Sequence, residues 1–171
     1  MYWSLLGQIL LMQERTDEAA SALAKAIELD PDVGWPWQRL GEAYGDLGRE
    51  EDATEAFEQA LEIFQRELVD EPESARLRNE MAWLIATEPT VRSPERLNRA
   101  LELAREAVEL TGHENSAMMD TLAEVLFQRR EVEAALDLME RANAVRGLDS
   151  DYVDRQLERF RARAFETSPD M

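Results

Sequence analysis

The chain has 171 residues, 44% hydrophobic and 33% charged, a folded and water-soluble composition with few turn residues. It has no cysteine, which excludes disulfides, thiolate metal sites and a cysteine nucleophile. Its 37 acidic and 19 basic residues give a net charge of -18, a surface that repels nucleic-acid phosphates and anionic lipid and draws basic partners.

The pattern is helical from the outset. Met1-Tyr2-Trp3-Ser4 enters an apolar helical run with no basic leader or small-residue cleavage site, so the chain is expected either to begin here or to be part of a longer one. No apolar run approaches the roughly 18 residues of a membrane span. The compartment stays open, the cytoplasm favoured over the periplasm.

Self-similarity is the strongest signal. Trp3, Leu6, Gly7, Leu10, Ala19, Leu23 and Ala26, each advanced by 34, give Trp37, Leu40, Gly41, Tyr44, Ala53, Phe57 and Ala60, with chemical class kept throughout. Pro31 closes the first copy. A third copy runs through Met81, Ala82, Ile85, Ala100, Ala104 and Ala107, with a six-residue insertion around Pro89 and Pro94 that stops one helix and starts the next. A fourth runs through Met119, Leu122, Ala123, Leu126, Ala135, Met139 and Ala142. Between the second and third copies the spacing from Gly41 to Ala82 is 41, so the helix through Ile63–Val69 is expected to run on for about two extra turns, in phase, towards Pro72.

These residues resemble the signature of the tetratricopeptide-repeat family, a Trp, Leu-Gly and Tyr on one helix and Ala, Phe and Ala on the next, closed by proline. The resemblance implies an all-α, right-handed α-solenoid of about four helix hairpins. Repeats are expected near 1–33, 34–72, 73–112 and 113–147, with a capping helix over 150–165, a tail over 166–171, and residues 1–165 as one solenoid. The small residues Gly7, Gly41, Ala82 and Ala123 are expected where the first helix of each hairpin meets the second. The cap is expected to start at Asp149-Ser150-Asp151 and to bury Val153, Leu157, Phe160 and Ala164, with Arg155, Arg159, Arg161 and Arg163 between them. Residues 79–145 also resemble helical arms of multidomain bacterial proteins, which implies an accessory role in a larger assembly.

In this family the first helices line a concave groove. On that implication the partner-facing side chains are Gln8, Leu11 and Met12, then Trp35, Gln38, Glu42 and Asp46, then Arg76, Asn79, Trp83 and Thr87, then Asp120, Glu124, Phe127 and Gln128. Trp35, Trp83 and Phe127 have the chemistry of binding anchors, and Glu42, Asp46, Asp120 and Glu124 favour a basic ligand. A carboxylate clamp is not supported, because Ser4, Gln8, Gln38 and Glu42 stand where it needs Lys, Arg or Asn, and only Arg39, Arg76 and Asn79 have suitable chemistry. Tyr2, Trp3 and Leu6 leave an apolar amino-terminal face for a second copy, an upstream repeat or a fused domain.

The sequence offers little for catalysis. His113 is the single histidine, placed in a turn, with no second His or Cys to share a metal. Acidic pairs are numerous enough to arise by chance, and Gly41, Gly45 and Gly48 lead to no phosphate-loop Lys-Ser/Thr. The expected role is therefore a protein-interaction scaffold, not an enzyme, that binds a basic or amphipathic peptide or protein without cofactor, metal, nucleic acid or membrane insertion. A structural or oligomerisation module, or a regulatory arm, is the alternative.

Overall fold

The computed structural model describes residues 2–145 and 149–167, residues 164–167 by backbone alone. Among the described residues there are nine α-helices and no strand. The chain divides into two compact units, Met1–Asp70 and Glu71–Met171. The first contains α1 (Tyr2–Met12), α2 (Thr16–Leu29), α3 (Gly34–Asp46) and α4 (Glu50–Asp70). The second contains α5 (Ala75–Thr87), a 3-10 turn (Pro89–Val91), α6 (Pro94–Leu110), α7 (Ser116–Gln128), α8 (Val132–Ala144) and α9 (Ser150–Thr167). The tail expected over 166–171 lies outside the described residues from 168 onward, as do residues 146–148 near the end of the fourth expected repeat.

Within each unit the helices pair as hairpins: α1 with α2, α3 with α4, α5 with α6, and α7 with α8. Close approach explains the small residues. A Cβ on Gly7 would lie 2.5 Å from Leu23 Cγ, and one on Gly41 would lie 2.4 Å from Phe57 Cε1. Ala82 and Ala123, the period-matched residues of the second unit, have no exposed surface. Each second helix buries the recurring alanines, Ala19, Ala53, Ala100 and Ala135, and a large side chain such as Leu23, Phe57 or Met139. The long α4 also supplies Phe64, which packs so closely on Gly34 that a Cβ there would lie 2.5 Å from its ring.

The turns inside three hairpins share one closure. The sixth residue's N–H bonds the first residue's carbonyl in Arg15 N to Leu10 O, Arg49 N to Tyr44 O and Glu131 N to Leu126 O, all at 2.8–2.9 Å. This Schellman arrangement needs a left-handed residue just before the donor. It is Gly48 (φ 71°) in one copy, and Glu14 (φ 59°) and Arg130 (φ 66°) in the other two. The α5–α6 hairpin has the insertion instead. There Val91 is buried, Arg92 Nη1 donates to Ala86 O at 3.0 Å, and Arg96 Nη1 donates to Val91 O at 3.0 Å. Two guanidinium groups thus satisfy carbonyls at the end of α5 and in the insertion. Helix starts are capped by side chains as well: Ser74, Ser93, Asn115 and Asp149 accept from the backbone N–H of Leu77, Arg96, Met118 and Tyr152.

Successive hairpins then cover one another within a unit, α3 on α2, α7 on α6, and α9 on α8. Helix α9 buries Val153, Leu157 and Phe160.

Two stability outcomes follow. Arg130→Gly relieves the left-handed strain and raises stability by about 1 kcal/mol in urea unfolding, because Arg130 is exposed. Gly41→Ala lowers it by about 1–3 kcal/mol despite alanine's better helix propensity, because the added methyl meets a buried ring. A neutral Gly41→Ala would refute the close-packing account.

Candidate partner-binding surfaces

In the first unit α1, α2 and α3 surround a cavity of about 420 Å³, open to solvent and lined mainly by Trp3, Leu5, Leu29, Val33 and Trp35, with Gln8 and Asp30 as polar groups. The turn between α2 and α3 sets its far wall. Trp37 Nε1 donates to the carbonyl of Pro31 at 3.0 Å, which fixes the turn, and Trp35 then falls on the cavity. Trp35 is half-buried, with the Arg39 guanidinium 5.6 Å from its ring centroid.

The groove positions of α3 are already engaged among themselves. Arg39 donates to Glu42 at 2.6 Å and Gln38 Nε2 donates to it at 3.3 Å. Gln38 is buried, which corrects its assignment as an open groove residue, and its Oε1 has no hydrogen-bond partner. Asp46 and Met12 are exposed, and Gln8 is half-buried.

In the second unit Arg76 is exposed near the start of α5, while Asn79 and Trp83 are half-buried. Asn79 Oδ1 is buried without a partner. On α7 the sequence expectation needs a larger correction. Asp120 and Glu124 are buried, and α9 contacts them. Tyr152 Oη donates to Asp120 Oδ2 at 2.8 Å, Arg159 Nη2 pairs with Glu124 Oε2, and Gln128 Nε2 donates to Glu124 Oε1 at 2.7 Å. Phe127 stacks on Phe160 with centroids 4.5 Å apart, and the Arg159 guanidinium lies 4.7 Å from the Phe127 centroid. Three of the four residues read as ligand-facing on this helix, Asp120, Glu124 and Phe127, are therefore the seat of α9. The repeat period fixed the helix face, but Tyr152 and Arg159 follow no period: Tyr152 was not singled out, and Arg159 was placed only among the arginines between the apolar positions of the cap.

Burial pushes the Asp120 carboxyl up to about 6, with Glu124 adding to the rise while the Tyr152 hydrogen bond and the Arg159 charge oppose it. Burial and the neighbouring carboxylate raise the Tyr152 hydroxyl well above its ordinary range.

His113 is exposed in the α6–α7 turn at φ 62°. Among the described residues no group of three or more His, Cys, Asp or Glu is placed to hold a metal ion, and no helix is long and apolar enough to cross a membrane.

The tetratricopeptide-repeat family profile matches residues 10–84. That stretch of the chain carries tetratricopeptide repeats. Solved structures extend the likeness of fold along the whole chain. One is pilF of Pseudomonas aeruginosa, 20% identical over 98% of this chain and 70% of that one, with a TM-score of 0.63. Another is a thermophilic TPR protein of Thermus thermophilus, 18% identical over 95% and 80% of the two chains, with a TM-score of 0.66. MamA of Desulfovibrio magneticus is 13% identical over 98% and 90%, with a TM-score of 0.53. No curated protein matches in sequence. Tetratricopeptide repeats are in general scaffolds for protein–protein interaction, and this chain has that fold.

The buried Asp120 gives a pH outcome. Its folded pKa lies above the ordinary aspartate value, so the folded chain holds the extra proton between about pH 4 and pH 6. Its stabilising contribution is complete below pH 4 and is lost as pH rises through 6, at a cost reaching about 3 kcal/mol. Asp120→Asn should therefore be more stable than the parent at pH 8, by an amount that shrinks to near zero by pH 4. Urea unfolding of both proteins across that range checks it, and a difference independent of pH would refute it.

Proposed function

We propose that this tetratricopeptide-repeat chain binds a basic or amphipathic peptide segment of a partner protein, and that the cavity between α1, α2 and α3 receives its apolar anchor. The cavity carries this reading. It is walled by two tryptophans and aliphatic side chains, with only a few polar groups, as peptide anchor sites are. Its volume accommodates one large side chain with its flanks.

The charge supports the basic character of the ligand. Residues 1–70 contain sixteen acidic and five basic side chains, so the approach of a cationic segment is steered and that of an anionic one opposed. Asp30 at the cavity and the exposed Asp46 on α3 are the acidic groups that meet the flanks. Gln8 is the polar group that orients the peptide backbone. Asp120, Glu124 and Phe127 take no part in ligand contact while α9 is seated.

The test is fluorescence anisotropy with labelled basic peptides, each carrying one leucine or aromatic anchor. Trp35→Ala should weaken binding at least about tenfold, as loss of an aromatic anchor does. Raising the salt from about 0.05 to 0.5 M should weaken it again through screening. Binding indifferent to both, or no binding by any peptide of the set, would remove the proposal.

A further inference from the structure

Helix α1 presents an apolar stripe that no other described residue covers. Tyr2, Leu5, Ile9 and Met12 are 71%, 56%, 43% and 80% exposed. Their steps of 3, 4 and 3 residues follow the alternating three- and four-residue spacing of a helix–helix seam. At Ile9, in the middle of the stripe, the period-matched positions elsewhere are covered. Ile9 corresponds to Ala43 on α3 and Val125 on α7, and both have no exposed surface. Ala43 lies in the core with Ala20, Leu23 and Ile27 of α2, and α7 packs on α6. The stripe is thus on the side of a first helix where another helix packs.

We propose that the stripe pairs with the α1 stripe of a second copy of this chain, antiparallel about a twofold axis. Charge selects this occupant. Helix α1 has no charged side chain from Tyr2 to Met12, and it is the one such α-helix among those described, in a chain of net charge -18. Two copies meeting on other faces bring carboxylates together, whereas these stripes meet without like-charge contact. An uncharged stripe also offers no attraction to the basic ligand that the acidic surface draws.

The area is consistent with a reversible dimer. The four side chains expose on the order of 500 Å² per copy, a large patch for a monomer and about 1,000 Å² for the pair, near the lower bound of a specific interface. Antiparallel pairing opposes the helix dipoles favourably. Centred on Gly7, it sets Leu5 against Ile9 and Tyr2 against Met12, the latter a sulfur–aromatic contact.

Sedimentation of the full chain at concentrations up to about 200 µM, spanning the range of weak dimers, is the test. The mass should rise towards twice 19.6 kDa, and more readily at high salt, which screens the net repulsion. Ile9→Glu should weaken dimerisation at least tenfold. Tyr2→Glu and Met12→Lys should each weaken it while suiting the helix dipole at their own ends, so that the fold persists by circular dichroism. Mixing those two chains should restore the dimer, because position 2 of one copy faces position 12 of the other. A chain monomeric throughout would overturn self-pairing and leave the stripe to a helix of another protein. A dimer indifferent to Ile9→Glu, or no recovery on mixing folded Tyr2→Glu and Met12→Lys chains, would overturn the seam. Ile9, Tyr2 and Met12 do not line the peptide cavity, so this result and the peptide result can fail independently.

Discussion

The closeness of the two helices in each hairpin is the constraint from which the rest of the structure follows. Gly7 against Leu23 and Gly41 against Phe57 leave no room for a methyl group, and Ala82 and Ala123 occupy the same position with nothing to spare. Helices that approach this closely bury one side of the hairpin and leave the other apolar. A second hairpin, or a lone helix, must then cover what remains, which is the physical reason a repeat protein is stabilised by its neighbours. Helix α3 does this for α2, α7 for α6, and α9 for α8. The exposed stripe of α1 is the same requirement left unanswered among the described residues.

This logic also separates what was legible in the sequence from what was not. The period of 34 carried the hairpins, the small contact residues, the run-on of α4 and the proline-bounded insertion, because each is a local or nearest-neighbour property that recurs. The cap was legible from Asp149 and the spacing of Val153, Leu157 and Phe160. What the period could not carry was the identity of the side chains that a non-repeating helix lays against the last repeat. Asp120 and Glu124 were assigned to solvent and ligand by the position they hold in their helix, and Tyr152 and Arg159 bury them. Gln38 failed in the same way, since it is buried and bonds to Glu42 along its own helix. The left-handed residues Glu14 and Arg130 did have a signal, for both align with Gly48 in the hairpin turn.

The charge of the chain acts at two ranges. Several cations are engaged locally, in pairs three residues apart such as Arg15–Glu18, Lys25–Glu28, Arg49–Asp52 and Arg99–Glu102, with both partners well exposed. Pairs of this kind, open to solvent and screened by salt, contribute little to stability. They do not hold the fold, and they leave the large surplus of carboxylates as a long-range field. The acids that matter to stability are the two that α9 buries. There a hydroxyl, a guanidinium and an amide replace the water that Asp120 and Glu124 lose, and the upward displacement of the Asp120 carboxyl shows that the replacement is incomplete.

Apolar openings and charge are therefore arranged to complement each other. The cavity walled by Trp3 and Trp35 and the stripe on α1 both belong to residues 1–70, the part of the chain with the larger acidic surplus. Surplus charge keeps such surfaces apart from indiscriminate apolar contact, since another acidic protein is repelled before its hydrophobic groups arrive. On the proposed function, a ligand that enters the cavity brings cations that lower that barrier. A ligand on the stripe must instead approach with its own charges held away from the contact, as α1 itself does. One field thus imposes two different selections on two neighbouring apolar surfaces, and the absence of charge on α1 is as informative about its partner as the presence of charge is elsewhere.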